Sequence, residues 1–567
     1  MPSAIAAAVA ATVAALTLAA APGAVPSAAV PSAAAPSRAA PVARTAASPV
    51  WSATAPGGVV PAGARPAGEC AARTSLGAVA GTARGGVCAF RGIPYAQAPV
   101  GALRFRPPRP ARPWRGTLRA VDGTRVCPQF RDDVSEEYPD ARPVYTDEDC
   151  LYLNVWTPSP DRRARRPVIV FIHGGAARFG GANEPRYDGT ALAARGDAVV
   201  VTLNYRLGAF GWAELGHLDP AYRGSGNNGL RDQMAALRWV RRQARAFGGD
   251  PGRITVAGES EGAISISAML ATDHPERLFR RAVLQSGSGA LVHSAALERR
   301  LAPALPVRSV AELAALPAAR VLELQEQAVA TVPGAAGGAL YFGPYIDGTL
   351  VRGPVTERVE AGHARHVELL VGSNRDEVNY FAQFTPGGLP ALAAQYDALF
   401  PAALADRREE MTKVYRAGRS EQQAALAMFT DQMVRVPATR LADAQSRWRR
   451  TFTYRFDWAP SGGLGAVHTA ELPFVFGSLR FTGIPGGADA LRADPAGLGR
   501  LSGRMMDAWT SFARTGDPGA GGAAPWPAYS VPRRATKIWD LAPRTEDDPA
   551  GAERALWDAI PFDALDL

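Results

Sequence analysis

Ile254-Thr-Val-Ala-Gly-Glu-Ser-Glu-Gly-Ala-Ile264 joins an apolar, β-rich run to an apolar segment through a turn built on two glycines. The run Ile254–Ala257 reads as a buried strand, and Ala263, Ile264, Ile266, Ala268 and Met269 read as a helix that follows it. Between them stands Gly258-Glu259-Ser260-Glu261-Gly262. A chain that turns sharply from strand to helix needs small residues on either side of the turn, and the residue at its apex is left exposed. That is the geometry of a nucleophile elbow, with the Ser260 hydroxyl at the apex. The bland alternative is a serine in an ordinary glycine turn. The strand before and the helix after supply the context the elbow requires.

Similar apolar runs lie on both sides. Pro167–Ile172 ends in His173-Gly174-Gly175, and Ala198–Asn204, Ala282–Gln285 and Val367–Val371 follow. Between two of them Leu230, Met234, Leu237, Ala244 and Phe247 recur at helical spacing. Continuous apolar strands separated by helices predict an α/β fold with a mostly parallel central sheet covered on both faces. Residues before 167 are richer in turns, and 296–333 and 384–450 read as inserted helical excursions. No internal repeat is visible, so one large α/β domain fits better than a string of small ones.

The chain has 567 residues, 47% apolar and 20% charged, with a formal charge of +9. This is the composition of a packed globule, which excludes wholesale disorder and a multi-span membrane protein. The basic residues are arginines apart from Lys413 and Lys537, and they are dispersed in short clusters without aromatic interleaving. Nucleic-acid binding is not expected. Ala4–Ala21 is an apolar, alanine-rich stretch followed by small residues, which predicts a signal peptide over 1–24 and a secreted protein; a weak membrane anchor is the competing reading. Residues 25–66 repeat Pro, Ser and Ala and cannot bury enough surface to fold, so a disordered leader is expected there. The folded domain is placed at 67–567.

The four cysteines are Cys70, Cys88, Cys127 and Cys150. Their spacing favours two sequential disulfides, Cys70–Cys88 and Cys127–Cys150, each worth roughly 3 kcal/mol through loop closure. A zinc site is the rival, but no C-x-x-C or clustered histidine supports it.

A serine nucleophile needs a base, and the base needs an orienting acid. Downstream of Ser260 lie His274, His293, His363, His366 and His468. In this type of fold the order is serine, acid, histidine, and His468 alone leaves room for an acid after a later strand. Asp376 and Glu377 both stand just past Val367–Val371 and are both candidates. For His468 the alternative is a satisfied loop histidine. Small residues after a strand suit an oxyanion hole, and His173-Gly174-Gly175-Ala176 supplies them.

Further segments carry a resemblance to a known family. They include Phe90-Arg-Gly-Ile-Pro-Tyr-Ala96, Glu148-Asp-Cys-Leu-Tyr-Leu-Asn-Val155, Asn204-Tyr-Arg-Leu-Gly208, Gly226-Asn-Asn-Gly-Leu-Arg-Asp-Gln233, Phe247-Gly-Gly-Asp-Pro251 and Leu472-Pro-Phe-Val-Phe-Gly477. Colinear over about residues 74–530, they resemble the type-B carboxylesterase/lipase family, the cholinesterase-like branch of the α/β-hydrolases. The resemblance implies a serine carboxylesterase of α/β-hydrolase fold working through an acyl-enzyme, with nucleophile Ser260, acid Glu377 rather than Asp376, and base His468. It further implies oxyanion donors at the N–H groups of Gly175, Ala176 and Glu261, and a small-molecule ester as substrate. No metal or organic cofactor is expected. Cys127–Cys150 matches the family's first disulfide loop, whereas Cys70–Cys88 has no counterpart in its common pattern. Leu340 and Phe342 are candidate pocket residues, with core packing as the alternative.

Three positions depart from the family. Glu261 stands where alanine is usual, Ala177-Arg178 stands where a bulky aromatic follows the oxyanion pair, and Val378 follows the acid where glycine is common. Two unusual charges near one site suggest that Arg178 and Glu261 pair. The loop 128–149 holds no tryptophan, so a choline ester is not favoured. Amide, carbamate or lactone hydrolysis on the same machinery, and a non-catalytic binding protein of this fold, are the rival functions.

Overall fold

Runs of Val, Ile, Leu and Phe become strands buried on both faces because each alternate side chain has a core to enter. In the computed structural model, which describes residues 59–60, 69–123, 125–130, 145–331, 341–521, 525–558 and 560, the chain builds sixteen strands. The amino-terminal part gives β1 (Val59–Val60), β2 (Glu69–Arg73), β3 (Ala78–Arg84), β4 (Val87–Pro94), β5 (Thr117–Arg119), β6 (Arg125–Val126), β7 (Tyr145–Thr146) and β8 (Tyr152–Thr157). The central part gives β9 (Arg166–Ile172), β10 (Val199–Leu203), β11 (Gly249–Glu259), β12 (Arg281–Gln285), β13 (Glu368–Asn374), β14 (Thr451–Phe456), β15 (Ala535–Trp539) and β16 (Arg544–Asp547).

All but β6 and β7 join one sheet, ordered β1-β5-β3-β4-β8-β10-β9-β11-β12-β13-β14-β15-β16, with β2 paired to β3. From β10 through β15 every pairing is parallel, and antiparallel strands flank that run at β8 and β16. Along β9, Val168, Val170 and Ile172 enter one core while Ile169 and Phe171 enter the other. The first core is covered by the helices Asn228–Gln243 and Glu261–Leu270, the second by Pro495–Thr515. The described part of the first excursion, 296–331, and the second, 384–450, are mostly helical. In the second excursion Tyr396, Met411, Tyr415 and Met428 form a third core with Trp557 of the helix Gly551–Asp558. The fold is that of an α/β-hydrolase.

The strands expected from apolar runs are present. β14 and β15 were not anticipated, because Thr451-Phe-Thr-Tyr-Arg-Phe456 mixes polar and apolar residues and shows no continuous apolar run. Both expected disulfides are formed, Cys70–Cys88 tying β2 to β4 with Cα atoms 5.7 Å apart and Cys127–Cys150 with 4.9 Å. The expected signal peptide, most of the expected leader, residues 131–144 of the first disulfide loop and Leu340 lie outside the described residues. Within the leader stretch, Val59 and Val60 pair with Leu118 and Thr117 of β5. Among the described residues no helix is long and apolar enough to cross a membrane.

Candidate active site

β11 ends at Glu259, and the helix Glu261–Leu270 begins two residues later. Ser260 between them has φ +54° and ψ −123°, a left-handed backbone that a non-glycine residue adopts at a cost and holds only where its surroundings fix it. The glycines of the motif explain how the turn closes. A Cβ on Gly262 would stand 2.1 Å from the Ile172 carbonyl oxygen, and one on Gly258 would stand 2.6 Å from the Gly262 backbone. Ser260 donates its backbone N–H to Gln285 O at 2.9 Å, which anchors the apex to β12. Ser260 is partly exposed while Glu259 and Glu261 on either side are buried.

After β9 the chain passes through Gly175, Ala176 and Ala177 with φ of +101°, +51° and +57°. The N–H groups of Gly175, Ala176 and Glu261 donate to no protein acceptor among the described residues. Phe179 folds over this turn, its carbonyl oxygen 2.2 Å from where a Gly175 Cβ would stand. Below it, buried His173 stacks on Tyr205 with ring centroids 4.5 Å apart, and burial pushes its imidazole down to about 4, so the ring is neutral.

Two further loops leave the same carboxyl edge of the sheet. Asp376 and Glu377 follow β13, and His468 comes in the loop after β14. The two acids do different things. Glu377 Oε2 lies 2.6 Å from His468 Nδ1, and its Oε1 accepts the Asn374 N–H at 2.7 Å. Asp376 Oδ2 accepts the Ala466 N–H at 2.8 Å and is paired with Arg375, so it fastens the loop that carries His468. His274 and His363 lie elsewhere, in ion-pair or charged settings at the surface.

Sequence reasoning passed over two carboxylates here. His468 Nε2 stands 3.1 Å from Glu259 Oε1. Glu471 accepts from Asn374 Nδ2 at 2.7 Å and from Gln285 Nε2 at 3.0 Å. Burial alone would lower the His468 pKa, but Glu259, Glu377 and Glu471 together push it up to about 9. Burial pushes Glu259 up to about 8 against the opposing pull of His468, and raises Glu471 as well. Glu259 sits inside the elbow motif, so its position was legible even though its partner was not.

Arg178 does not pair with Glu261. Its guanidinium binds both carboxylate oxygens of Glu326 at 2.5 Å, on the helix Ala318–Thr331. Glu261 instead accepts from Ser265 Oγ at 3.1 Å, one turn along its own helix, and burial pushes its carboxyl up to about 8. Phe342 is 3% exposed and packs edge-on against Tyr341 in the first core. No group of three metal-ligating side chains is found among the described residues.

Nearly the whole described chain is similar to known proteins. The model of the carboxylesterase family matches residues 69–554. The chain belongs to that family. It is therefore a carboxylic ester hydrolase by membership. A para-nitrobenzyl esterase of Bacillus subtilis is 38% identical over 492 residues, covering 85% of this chain and 97% of the relative. A fumonisin B1 esterase of Sphingopyxis macrogoltabida is 35% identical, covering 80% and 84%. Among solved structures, a carboxylesterase of Geobacillus stearothermophilus at pH 6.2 superposes with a TM-score of 0.73 at 37% identity, covering 86% of this carboxylesterase and 100% of that one.

Proposed function

We infer that this protein is a secreted serine carboxylesterase that cleaves small-molecule esters through an acyl-enzyme. The observation that carries the mechanism is the 2.6 Å contact between His468 Nδ1 and Glu377 Oε2 on the same sheet edge as the left-handed Ser260. Glu377 holds the ring so that Nε2 takes the Ser260 Oγ proton as Oγ attacks the ester carbonyl. The tetrahedral oxyanion is met by the N–H groups of Gly175, Ala176 and Glu261, which have no acceptor among the described residues. Collapse expels the alcohol, which takes the proton from His468. Water then gives a proton to His468 and its oxygen to the acyl carbon, releasing the acid and restoring Ser260.

Secretion is supported by the alanine-rich amino terminus and by two disulfides, which persist in oxidising compartments. A histidine with a carboxylate on its Nδ1, and N–H groups without an acceptor among the described residues, on loops at the sheet edge that carries Ser260, favour catalysis over a binding protein without it. A fluorophosphonate probe should label Ser260 alone, located by peptide mapping, and Ser260→Ala should abolish labelling and hydrolysis of a chromogenic butyrate ester. Labelling at another serine, or turnover by the variant, would sink the assignment.

A further inference from the structure

Four exposed arginines gather on one side of the helix Asn228–Gln243 and the turn that continues it. Arg238, Arg241, Arg242 and Arg245 recur at intervals of three and four residues. That spacing makes them surface neighbours, with Cβ atoms about 5–6 Å apart. The helix runs toward the amino edge of the sheet, because it leads into β11, whose first residue Gly249 pairs with Arg166 at the start of β9. The same edge brings three more exposed arginines. Arg253 stands where β11 enters the sheet, and Arg280, just before β12, donates its N–H to Ile254 O at 2.8 Å. Arg277 lies in the loop before Arg280, and its carbonyl accepts from Arg241 Nη1 at 2.7 Å, which ties that loop to the helix.

No described acid forms an ion pair with any of these seven arginines. The acids that flank them are already taken. Asp250 holds Arg165, Asp273 holds Arg352 and Arg358, Glu368 holds Arg281 and Arg450, and Glu276 faces His274. The cations also act on one another. Burial and then the Arg242 charge lower the Arg238 pKa, and Arg280 and Arg253 add to the lowering of Arg281 by burial, against the pull of Glu368. Like charges held together without counter-charge favour an anionic partner.

The shape of the patch narrows the partner. The arginines spread in two dimensions, over a helix side and two strand entrances, and Trp239, Phe247 and Phe279 among them are buried, so no ring is offered for bases to stack on. The exposed large apolar residues Val100, Trp448, Val531 and Leu541 lie in other segments, so nothing in the patch is built to enter hydrocarbon. Cations spread over an area suit the headgroup charge of an anionic lipid surface. We propose that these seven arginines form a docking surface for an anionic phospholipid membrane, holding the enzyme by the amino edge of its sheet. The loops with Ser260, Glu377 and His468 leave the opposite, carboxyl edge, which a docked molecule keeps free.

Co-sedimentation of the protein with vesicles tests the surface. Vesicles of about one-third phosphatidylglycerol in phosphatidylcholine should bind at least about tenfold more tightly than phosphatidylcholine alone at ~0.05 M salt, and the preference should vanish at ~0.5 M, where screening is short-ranged. R238Q/R241Q/R242Q/R245Q should lower the affinity at least about tenfold, whereas taking the same charge from four exposed arginines elsewhere, in R299Q/R300Q/R480Q/R500Q, should change it less than about twofold. None of the eight belongs to the site described above, so both variants should hydrolyse a soluble chromogenic butyrate ester as the parent does, which also shows that they fold. Equal losses in the two variants, or equal binding to the neutral vesicles, would overturn the patch. Binding of long-chain polyphosphate without binding of the anionic vesicles would overturn the membrane as its partner. Ser260→Ala should bind vesicles as the parent does, so the docking surface and the hydrolase reading fail separately.

Discussion

The neighbouring acids Asp376 and Glu377 show how one residue of register decides a role. Glu377 touches the imidazole, and Asp376 holds the main chain of the loop that delivers it. Glu377→Gln should therefore lower kcat by a factor approaching the ~10⁴ seen for the equivalent change in a serine-protease triad, because the amide no longer fixes the tautomer. Asp376→Asn should cost far less, and its loss should show in thermal stability as much as in rate. Steady-state kinetics of the pair decide between them, and the reverse ranking would put the acid one residue earlier. Glu259 adds a pH signature. Its carboxylate, 3.1 Å from Nε2, is the first of three that push the His468 pKa up to about 9, and a protonated ring cannot accept the serine proton. Hydrolysis should accordingly rise with pH toward about 9. Glu259→Gln removes that negative charge, lowers the imidazole pKa and should move the rising limb of kcat/KM toward neutral pH. A pH profile with an ester that does not itself titrate measures the shift; a limb that stays put would mean another group controls it.

Elements meet at this site through backbone contacts that only glycine permits. The elbow helix approaches β9 so closely that a Gly262 Cβ would overlap the Ile172 carbonyl at 2.1 Å, and neither backbone can yield without moving Ser260, the proposed nucleophile. Gly262→Ala should destabilise the protein by about 1–3 kcal/mol or more, read as a lowered Tm, and should also cost activity; an unchanged Tm with full activity would show that the helix can shift freely. These elements were readable in the sequence for the same reason that they are rigid. Pro167–Ile172 and Ile254–Ala257 are continuous apolar runs because both faces of the sheet are covered, and the glycines after them mark where chains come close. What was not readable had no such local signature. β14 is buried on both faces, yet Thr451 and Thr453 interrupt its apolar pattern. Thr453 satisfies its hydroxyl on the Ala535 carbonyl of the next strand, a partner more than eighty residues away. Arg178 and Glu261 looked paired because each is a charge out of place. In the fold Arg178 finds Glu326 on an inserted helix and Glu261 turns back to Ser265. Long-range partners of single charges are decided by packing, which the linear order of residues does not carry.

Over the whole molecule the buried acids of the site impose a direction on stability. Glu259 and Glu261 each titrate at about 8 in the folded protein against 4.5 unfolded, and His468 at about 9 against 6.5. A group whose pKa is higher when folded binds more protons in the folded state, so its contribution is complete below the unfolded pKa and is lost as pH rises to the folded value. The two glutamates therefore remove stability as pH rises from 4.5 to about 8, and His468 as it rises from 6.5 to about 9. His173 acts in the opposite sense, its pKa of about 4 favouring the folded state as pH rises from 4 to 6.5, and so it offsets part of the glutamates' loss on the acid side without reaching the alkaline one. These groups together should make the protein lose stability from about pH 4.5 upward, most steeply between pH 6.5 and 8 where His468 joins the two glutamates, each fully titrating group contributing up to about 1.4 kcal/mol per pH unit. Glu259 and His468 share one contact and titrate together, but Glu261 stands apart from them, bonded to Ser265, and can be tested alone. Glu261→Gln keeps an acceptor for Ser265 Oγ and removes the ionisation. Its Tm should match the parent's near pH 4.5 and exceed it increasingly up to about pH 8, a divergence that a simple packing defect would not produce, because a packing defect lowers Tm at every pH. Scanning calorimetry of both proteins from about pH 4 to 9 makes the comparison, and two parallel curves would show that Glu261 is already ionised in the folded enzyme.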